Sequence, residues 1–357
     1  SHSLDALLLP QPSNTTIEER TRPLISIARL YPKLSICGTR GARMFDPSKT
    51  IVIANPMARH GFVGENWPEL SAKIRDALGP VEMELTASRG DGLRIGKEAM
   101  ARGARTVISF GGDGTHSEVV DAIMQSELNK EVTMGVLHAG TGGDFRRMIP
   151  GADELESACA VIRDKPSVPI DIGWVQYVHD EGHTEGRFFL NITSMGMGGL
   201  VDRHVAASKS KSSGKAKYFK AVLRANMQYT PARIRLSIDG RDEGEHEISN
   251  ICVCNGRWAG GSMMFAPDAR VADGMFDIIL IRATSTLRGL PVMLGLYKGT
   301  HVRSPLVSTY RGQHVKVEML ENTAWMDIDG EAPGVGPAEF RIHERALRVI
   351  GIGAEFV

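Results

Sequence analysis

Between residues 50 and 163, short apolar runs alternate with stripes of helical period, and no other feature restricts the fold so strongly. Thr50-Ile-Val-Ile-Ala54 and Thr106-Val-Ile-Ser-Phe110 are apolar throughout most of their length, as parallel strands covered on both faces require. Residues 81–85 and 134–137 read as two further strands. Asn66 caps a helix that carries Pro68 in its first turn, buries Trp67, Leu70, Ile74 and Leu78, and stops at Gly79-Pro80. Helices are also predicted over 91–102, 118–128 and 153–163. A strand–helix series of this kind implies an α/β domain with a parallel, Rossmann-like sheet.

Beyond Pro169 the period changes. Strand-like pieces dominate at 170–178, 187–193, 232–238, 248–254, 275–281, 315–320, 324–328 and 339–343, with turn signals such as Asp239-Gly240 and Asp329-Gly330 between them. Helices over 216–229 and 287–298 interrupt the series. The pattern predicts a β-sandwich as the C-terminal domain. The expected division is an N-terminal arm over 1–48, an α/β domain over 49–168, a β-rich domain over 169–345, and a segment over 346–357 returning to the first domain.

The chain has 357 residues, enough for two domains of ~150 residues each. Lys plus Arg and Asp plus Glu both number 42, so the net charge is 42 − 42 = 0, which argues against nucleic acid as a partner. A hydrophobic content of 42% excludes wholesale disorder. No apolar run approaches the ~18–20 residues of a membrane span. Four cysteines in this length make no disulfide scaffold. Cys252 and Cys254 sit too close along one strand to bridge, and read as buried thiols. No secretory signal is evident, so a cytoplasmic location is expected.

Four clusters carry chemistry. Ser109-Phe-Gly-Gly-Asp-Gly-Thr115 lies between a buried strand and a helix, where glycines let backbone approach a ligand and the helix start offers N–H groups to an anion. The competing reading is a tight turn with an Asx cap. Asp113 suits a phosphate-facing turn only if it holds Mg²⁺ or a sugar hydroxyl. His138-Ala-Gly-Thr-Gly-Gly-Asp144 follows the next strand, so the two turns share one crevice at the strand ends. Asp268, Asp273 and Asp277 surround a Gly bend, either a capped turn or a seat for a hard cation. Met326-Asp-Ile-Asp-Gly-Glu331 is a hairpin signal that also presents three carboxylates. Lys209, Lys211, Lys215 and Lys217 form a short basic stretch, a solvated loop or a dock for anionic headgroups.

These clusters, in this order, resemble the diacylglycerol kinase catalytic-domain family of lipid kinases, which includes soluble bacterial lipid kinases and the sphingosine and ceramide kinases. The resemblance runs from Thr50 to the C-terminus through Asn55-Pro56, Gly111 to Glu118, Ala139 to Arg146, Ile170 to Gly173, Asn191 with Gly196 and Gly198, Pro267 to Asp277, and Asp329-Gly-Glu331. Gly-Gly-Asp-Gly-Thr alone also looks like NAD kinases and phosphofructokinases; the downstream set separates them. Three positions depart from the family pattern. Gly143 stands before the second-loop aspartate where Asn is usual, Arg59-His60 where Gly-Lys is usual, and Ala272-Asp273 where two aspartates are usual.

The resemblance implies an ATP- and Mg²⁺-dependent kinase with the cleft between its two domains. It implies ATP contacts from Asn55, Pro56, Arg59, Thr86, Gly111, Gly112, Asp113, Gly114, Thr115, Glu118, Gly140, Thr141 and Asp144. It implies metal ligation by Asp113 and through Asp171, and a structural cation at Asp273 with the Arg270 and Met275 carbonyls. It implies a general base at Asp329 or Glu331. The expected acceptor is a lipid hydroxyl, of diacylglycerol or of a ceramide or sphingoid lipid, met at a membrane surface by a peripheral enzyme; a homodimer is an open option. The rival readings are a soluble-metabolite kinase of the NAD kinase type and a non-catalytic nucleotide or lipid sensor.

Overall fold

The computed structural model describes residues 45–140, 142–208, 220–222, 224–225 and 227–357. Thr141, nearly all of the lysine stretch and much of the helix expected over 216–229 lie outside these residues.

Strand β1 (Thr50–Ala54) lies between β2 (Glu82–Leu85) and β3 (Thr106–Gly111), and β3 pairs onward with β4 (Thr133–His138); all are parallel. Ile51, Val52, Ile53, Val107 and Ile108 are fully buried, so the central strands keep no face for water. Helices α1 (Trp67–Leu78), α2 (Asp91–Ala101), α3 (Asp113–Gln125) and α4 (Leu155–Asp164) accompany the strands. Helix α2 lies close to α3, where a β-carbon on Gly96 would meet Ala122 Cβ at 2.7 Å.

The second half contains β5 (Ser167–His179), β6 (Thr184–Phe189), β7 (Ile192–Gly196), β8 (Ala232–Ile238), β9 (Arg241–Cys254), a small hairpin of β10 (Trp258–Ala259) and β11 (Met263–Met264), β12 (Phe276–Arg282), β13 (Val307–Gly312), β14 (His314–Glu321), β15 (Trp325–Ile328) and β16 (Gly334–Ile350). Helices α5 (Met197–Ala207) and α6 (Thr286–Leu296) interrupt them. Strands β7, β15, β16, β14, β8 and β9 pair antiparallel in a closed circuit. They enclose a core that includes Phe189, Ile234, Leu236, Ile251, Phe276, Val315, Met326 and Phe340. The expected sandwich therefore takes a form in which β9 and β16 serve both layers. The far end of β16 leaves that circuit: Arg348 and Val349 pair in parallel with Thr133 and Met134 of β4.

Several sequence expectations need correction. Helix α3 begins at Asp113, five residues before the expected start, because its first turn is built from Asp-Gly-Thr-His-Ser and shows no apolar period. Asn66 stands at the cap of α1, but its amide donates to Phe62 O at 2.8 Å, since a helical turn over Phe62–Glu65 puts that carbonyl in reach. The strand expected over 187–193 is two strands, divided where the Asp329 carboxylate takes successive N–H groups. The strand expected over 339–343 is the middle of β16, whose bulges break the alternation the eye looks for. Helix α5 was not expected. Cys252 and Cys254 are buried free thiols, as their spacing indicated, and burial pushes both pKa values up.

Candidate active site

The parallel strands end together, and their turns build the site. Asn55, directly after β1, donates from Nδ2 to Thr115 Oγ1 at 3.2 Å and accepts from Met57 N–H at 2.9 Å. Gly112, before α3, and Gly140, after β4, touch backbone to backbone: a β-carbon on Gly140 would lie 2.9 Å from Gly112 Cα. Only glycine permits that approach, and it joins the two glycine turns into one wall. Thr86 is buried after β2, its N–H donating to Ala54 O at 2.9 Å. Both Glu118 oxygens are used at 2.8 and 3.0 Å by the N–H groups of Gly90 and Gly92, so this side chain fixes the turn before α2. Arg59, at φ 51°, stacks its guanidinium 4.9 Å from the Phe62 ring.

Two aspartates stand together beside Gly142, where a β-carbon would lie 3.2 Å from Asp113 Oδ2 and 3.6 Å from Asp144 Oδ2. Asp144 is buried and accepts from Gly261 N–H at 2.8 Å and Ser262 N–H at 2.9 Å, which fastens the second glycine turn to the β10–β11 hairpin. Burial, reinforced by the Asp113 charge, raises its pKa. Asp113 Oδ1 is buried with no hydrogen-bond partner. An orphaned carboxylate oxygen at a helix start and beside two glycine turns could serve a hard cation as an oxygen ligand. Two histidines that the sequence reading missed stand beside it; the ligand atoms of Asp113, His116 and His138 lie within 4.8 Å of one another. Gly140 N–H donates to His138 Nε2 at 3.1 Å, so the hydrogen of neutral His138 resides on Nδ1 and the ring is a donor on its other side. His116 Nδ1 is 2.7 Å from Ser109 Oγ, and burial drops its pKa to about 3. No sequence period marks these rings; only the closeness of β4 to α3 brings them together.

The turn after β15 divides its carboxylates among three tasks. Asp329, at φ 48°, accepts from the N–H groups of Leu190, Asn191 and Ile192 at 2.7, 3.0 and 3.0 Å. It anchors the β6–β7 turn, and it also lines the cavity behind the glycine wall. Glu331 Oε2 takes Arg187 Nη1 at 2.5 Å and Arg89 Nη2 at 2.9 Å. Burial acts to raise the Glu331 pKa, but the two guanidiniums prevail and hold it below the usual value. Its Oε1 would lie 3.1 Å from a β-carbon on Gly114, so the carboxylate rests on the first turn of α3. Arg187, also missed in the sequence, reaches Asp121 at 3.3 Å and Ser117 Oγ at 3.4 Å as well. Asp327 accepts from Gly330 N–H at 2.8 Å.

A cavity of about 90 Å³ opens behind the glycine wall. Asp113 and Asp144 stand on one side of its lining; Ser194, Asp202, Asn250 and Asp327 contribute polar groups, and Met263 and Phe265 an apolar wall. Burial pushes Asp202 up to about 7 and Asp327 well above the ordinary carboxylate range, the Asp202 charge adding to the latter.

The residues proposed for a structural cation form a separate group around the loop before β12. Asp171 is fully buried and accepts from Gly274 N–H and Arg345 N–H, each at 2.7 Å; burial raises its pKa to about 6. Asp273 accepts from Met275 N–H at 3.1 Å and pairs with the Arg311 guanidinium. Arg270 reaches Val357 O at 3.1 Å. Among the described residues no hydrogen bond or ion pair links this group to Asp113.

Comparison with known proteins follows the same division. The diacylglycerol kinase catalytic domain matches residues 49–175, and the YegS C-terminal NAD kinase beta sandwich-like domain matches residues 191–351. A diacylglycerol kinase of Bacillus subtilis (strain 168) is 28% identical over 302 residues, 84% of this chain and 95% of that protein. A probable lipid kinase YegS-like of Pseudomonas aeruginosa is 32% identical over 280 residues, 78% of this chain and 87% of that one. A solved structure of a putative diacylglycerol kinase from Bacillus anthracis str. Sterne shares the fold, with a TM-score of 0.67 at 23% identity over 87% of this chain and 98% of its own. The chain belongs to the diacylglycerol kinase catalytic-domain family of lipid kinases.

Proposed function

We propose that this kinase transfers the γ-phosphoryl group of ATP to a hydroxyl of a lipid drawn into the cavity beside Asp113. The observation that carries the reading is the orphaned Asp113 Oδ1, set at the start of α3 between two glycine turns. Phosphoryl transfer is mostly positioning and charge neutralisation. The N–H groups that open α3 and the joined glycine backbones cradle the phosphates, and the helix dipole favours their charge. Asn55 and Thr115 hold the β1 turn against that cradle. Asp113 would hold Mg²⁺, which supplies charge neutralisation when bound; the oxygen donor and its unmet valence fit that ion. Asp144 keeps the hairpin with Met263 at the cavity's edge. Arg89 and Arg187 sit where a developing phosphate charge can draw them from Glu331. Glu331 thereby gains the freedom to accept the hydroxyl proton as it leaves, and Asp329 keeps the turn in place. Because alcohols have very high pKa values, the base acts during transfer rather than before it. The cation loop at Asp273 is proposed to be structural, with Asp171 as its buried anchor.

The test is ATP consumption by the purified chain with a panel of dispersed acceptors: diacylglycerol, ceramide, a sphingoid base and a glycolipid precursor. Phosphate appearing on one lipid class supports the reading. ATP bound but transferred to none of them would leave a sensor.

A further inference from the structure

We infer that the outward face of α6 docks on an anionic membrane surface and places the cavity wall against the bilayer. Leu287, Leu290 and Leu294 are 85, 47 and 62% exposed, and Tyr297, one residue past the helix, is 56% exposed. At 100° per residue these four side chains fall within an arc of about 80°. Val292 and Leu296 point the other way and are buried. An amphipathic helix with its apolar stripe turned to solvent is the reverse of what core packing asks for. It is the arrangement of a helix lying in a membrane interface.

The charge around the stripe says what covers it. Residues 278–317 contain six Lys or Arg and no Asp or Glu, in a chain whose totals are balanced at 42 each. Arg288, Lys298 and Arg303 are exposed and make no ion pair among the described residues. An apolar stripe whose own stretch of chain carries cations and no carboxylate is complementary to acyl chains beneath anionic headgroups, and a self-associating face would set those cations against one another. Among the described residues no helix is long and apolar enough to cross a membrane, so surface docking is the available mode for this element.

The buried side of α6 connects the dock to the site. Val292 and Leu296 pack in one cluster with Ile192, Cys252 and Phe265, and these three also line the cavity. His301, in the turn after α6, holds Phe265 O from Nε2 at 2.9 Å. A lipid leaving the bilayer beside α6 therefore meets the apolar wall first and the aspartates behind it. This delivery role rests on the lipid-acceptor reading above; the docking itself does not.

The experiment is cosedimentation of the full chain with vesicles of phosphatidylcholine containing phosphatidylglycerol, and with phosphatidylcholine alone. The parent should bind the anionic vesicles, and added salt should weaken it. Each basic residue near such a surface contributes a factor of roughly five, so Arg288→Gln, Lys298→Gln and Arg303→Gln together should cost ~10²-fold in partitioning. Leu287→Ser, Leu290→Ser and Leu294→Ser together should cost at least ~10-fold and leave the melting temperature and ATP affinity unchanged, because the three are exposed. Turnover of a dispersed short-chain acceptor should also be unchanged, and turnover of the same acceptor in vesicles should fall. Parent-like vesicle binding by both triple variants overturns the proposal. So does a parent that ignores anionic vesicles, or a light-scattering mass that drops from dimer to monomer in the leucine variant. Vesicle binding is read without catalysis, so a failed kinase reading and a failed dock give different results.

Discussion

Replacing Asp329 with Asn separates an anchor from a catalyst. In the parent, Oδ1 accepts from Asn191 and Ile192 N–H and Oδ2 from Leu190 N–H. Asn can keep the first two bonds, now without a full charge. Its NH₂ then faces the Leu190 N–H, donor against donor, at a buried position. Hydrogen bonds to a charged group contribute ~1.5–3 kcal/mol, and an unmet buried donor costs ~1–3 kcal/mol. One bond lost and two weakened give a destabilisation of ~3–5 kcal/mol. At ~2–4 °C per kcal/mol for a large domain, the melting temperature should fall by ~6–20 °C. Glu331→Gln differs. Arg187 keeps Asp121 as a partner, so the melting temperature should move little, and kcat should fall by ~10²-fold with the KM for ATP unchanged. The assays are differential scanning calorimetry and steady-state kinetics at saturating ATP. If Asp329→Asn melts like the parent and loses turnover instead, the anchor argument is wrong and Asp329 is a reacting group.

Asp113→Asn should leave the melting curve intact, abolish turnover and remove the Mg²⁺ dependence of ATP binding seen by titration calorimetry. Gly140→Ala should weaken ATP binding and destabilise by ~1–3 kcal/mol, since the new methyl meets Gly112 Cα at 2.9 Å; unchanged ATP affinity would show that the two turns do not act as one wall. Arg187→Gln leaves Glu331 to Arg89 alone and Asp121 to the Phe188 N–H, and should cost ~1–3 kcal/mol in urea unfolding. The pH dependence follows from burial. Asp121, Asp171 and Asp277 are raised to about 6 and Asp202 to about 7, above their unfolded values. On these groups the folded chain holds protons that the unfolded chain releases, so their contribution to metal-free stability falls as pH rises from about 4 to about 7, while buried His116 and His343, lowered to about 3 and about 4, act in the opposite direction; the melting temperature should therefore fall more steeply over that window in His343→Gln than in the parent, and an equal or shallower slope contradicts it.

The parallel sheet was legible because its central strands carry short apolar runs, Ile51-Val-Ile53 and Val107-Ile108, a pattern that burial on both faces imposes. The glycine turns were legible because a strand, two glycines and a helix leave few other uses for that spacing. What escaped was everything fixed by contact across the chain. Arg187, His116 and His138 have no local signature. They matter because β6, α3 and β4 converge, and pair interactions at separations such as the 144 residues between Arg187 and Glu331 leave no period in a sequence. The start of α3 escaped for a different reason. Its first turn is polar, and polarity hides it from any apolar count. The division of labour between Asp329 and Glu331 was likewise invisible, because it depends on which of them meets three backbone N–H groups.

The pairing of Arg348 and Val349 with β4 has a consequence for synthesis on the ribosome. Strand β4 is made about 210 residues before the segment that covers its edge. At ~5–20 residues per second that edge waits ~10–40 s, with N–H and C=O groups unpaired and Thr133 and Met134 without their neighbour. The nascent first half is thus a sheet with a sticky side, and it is finished only when the closing strand of the second half arrives. A chain stalled after β15 would hold both glycine turns, and still offer that edge to the next nascent copy beside it.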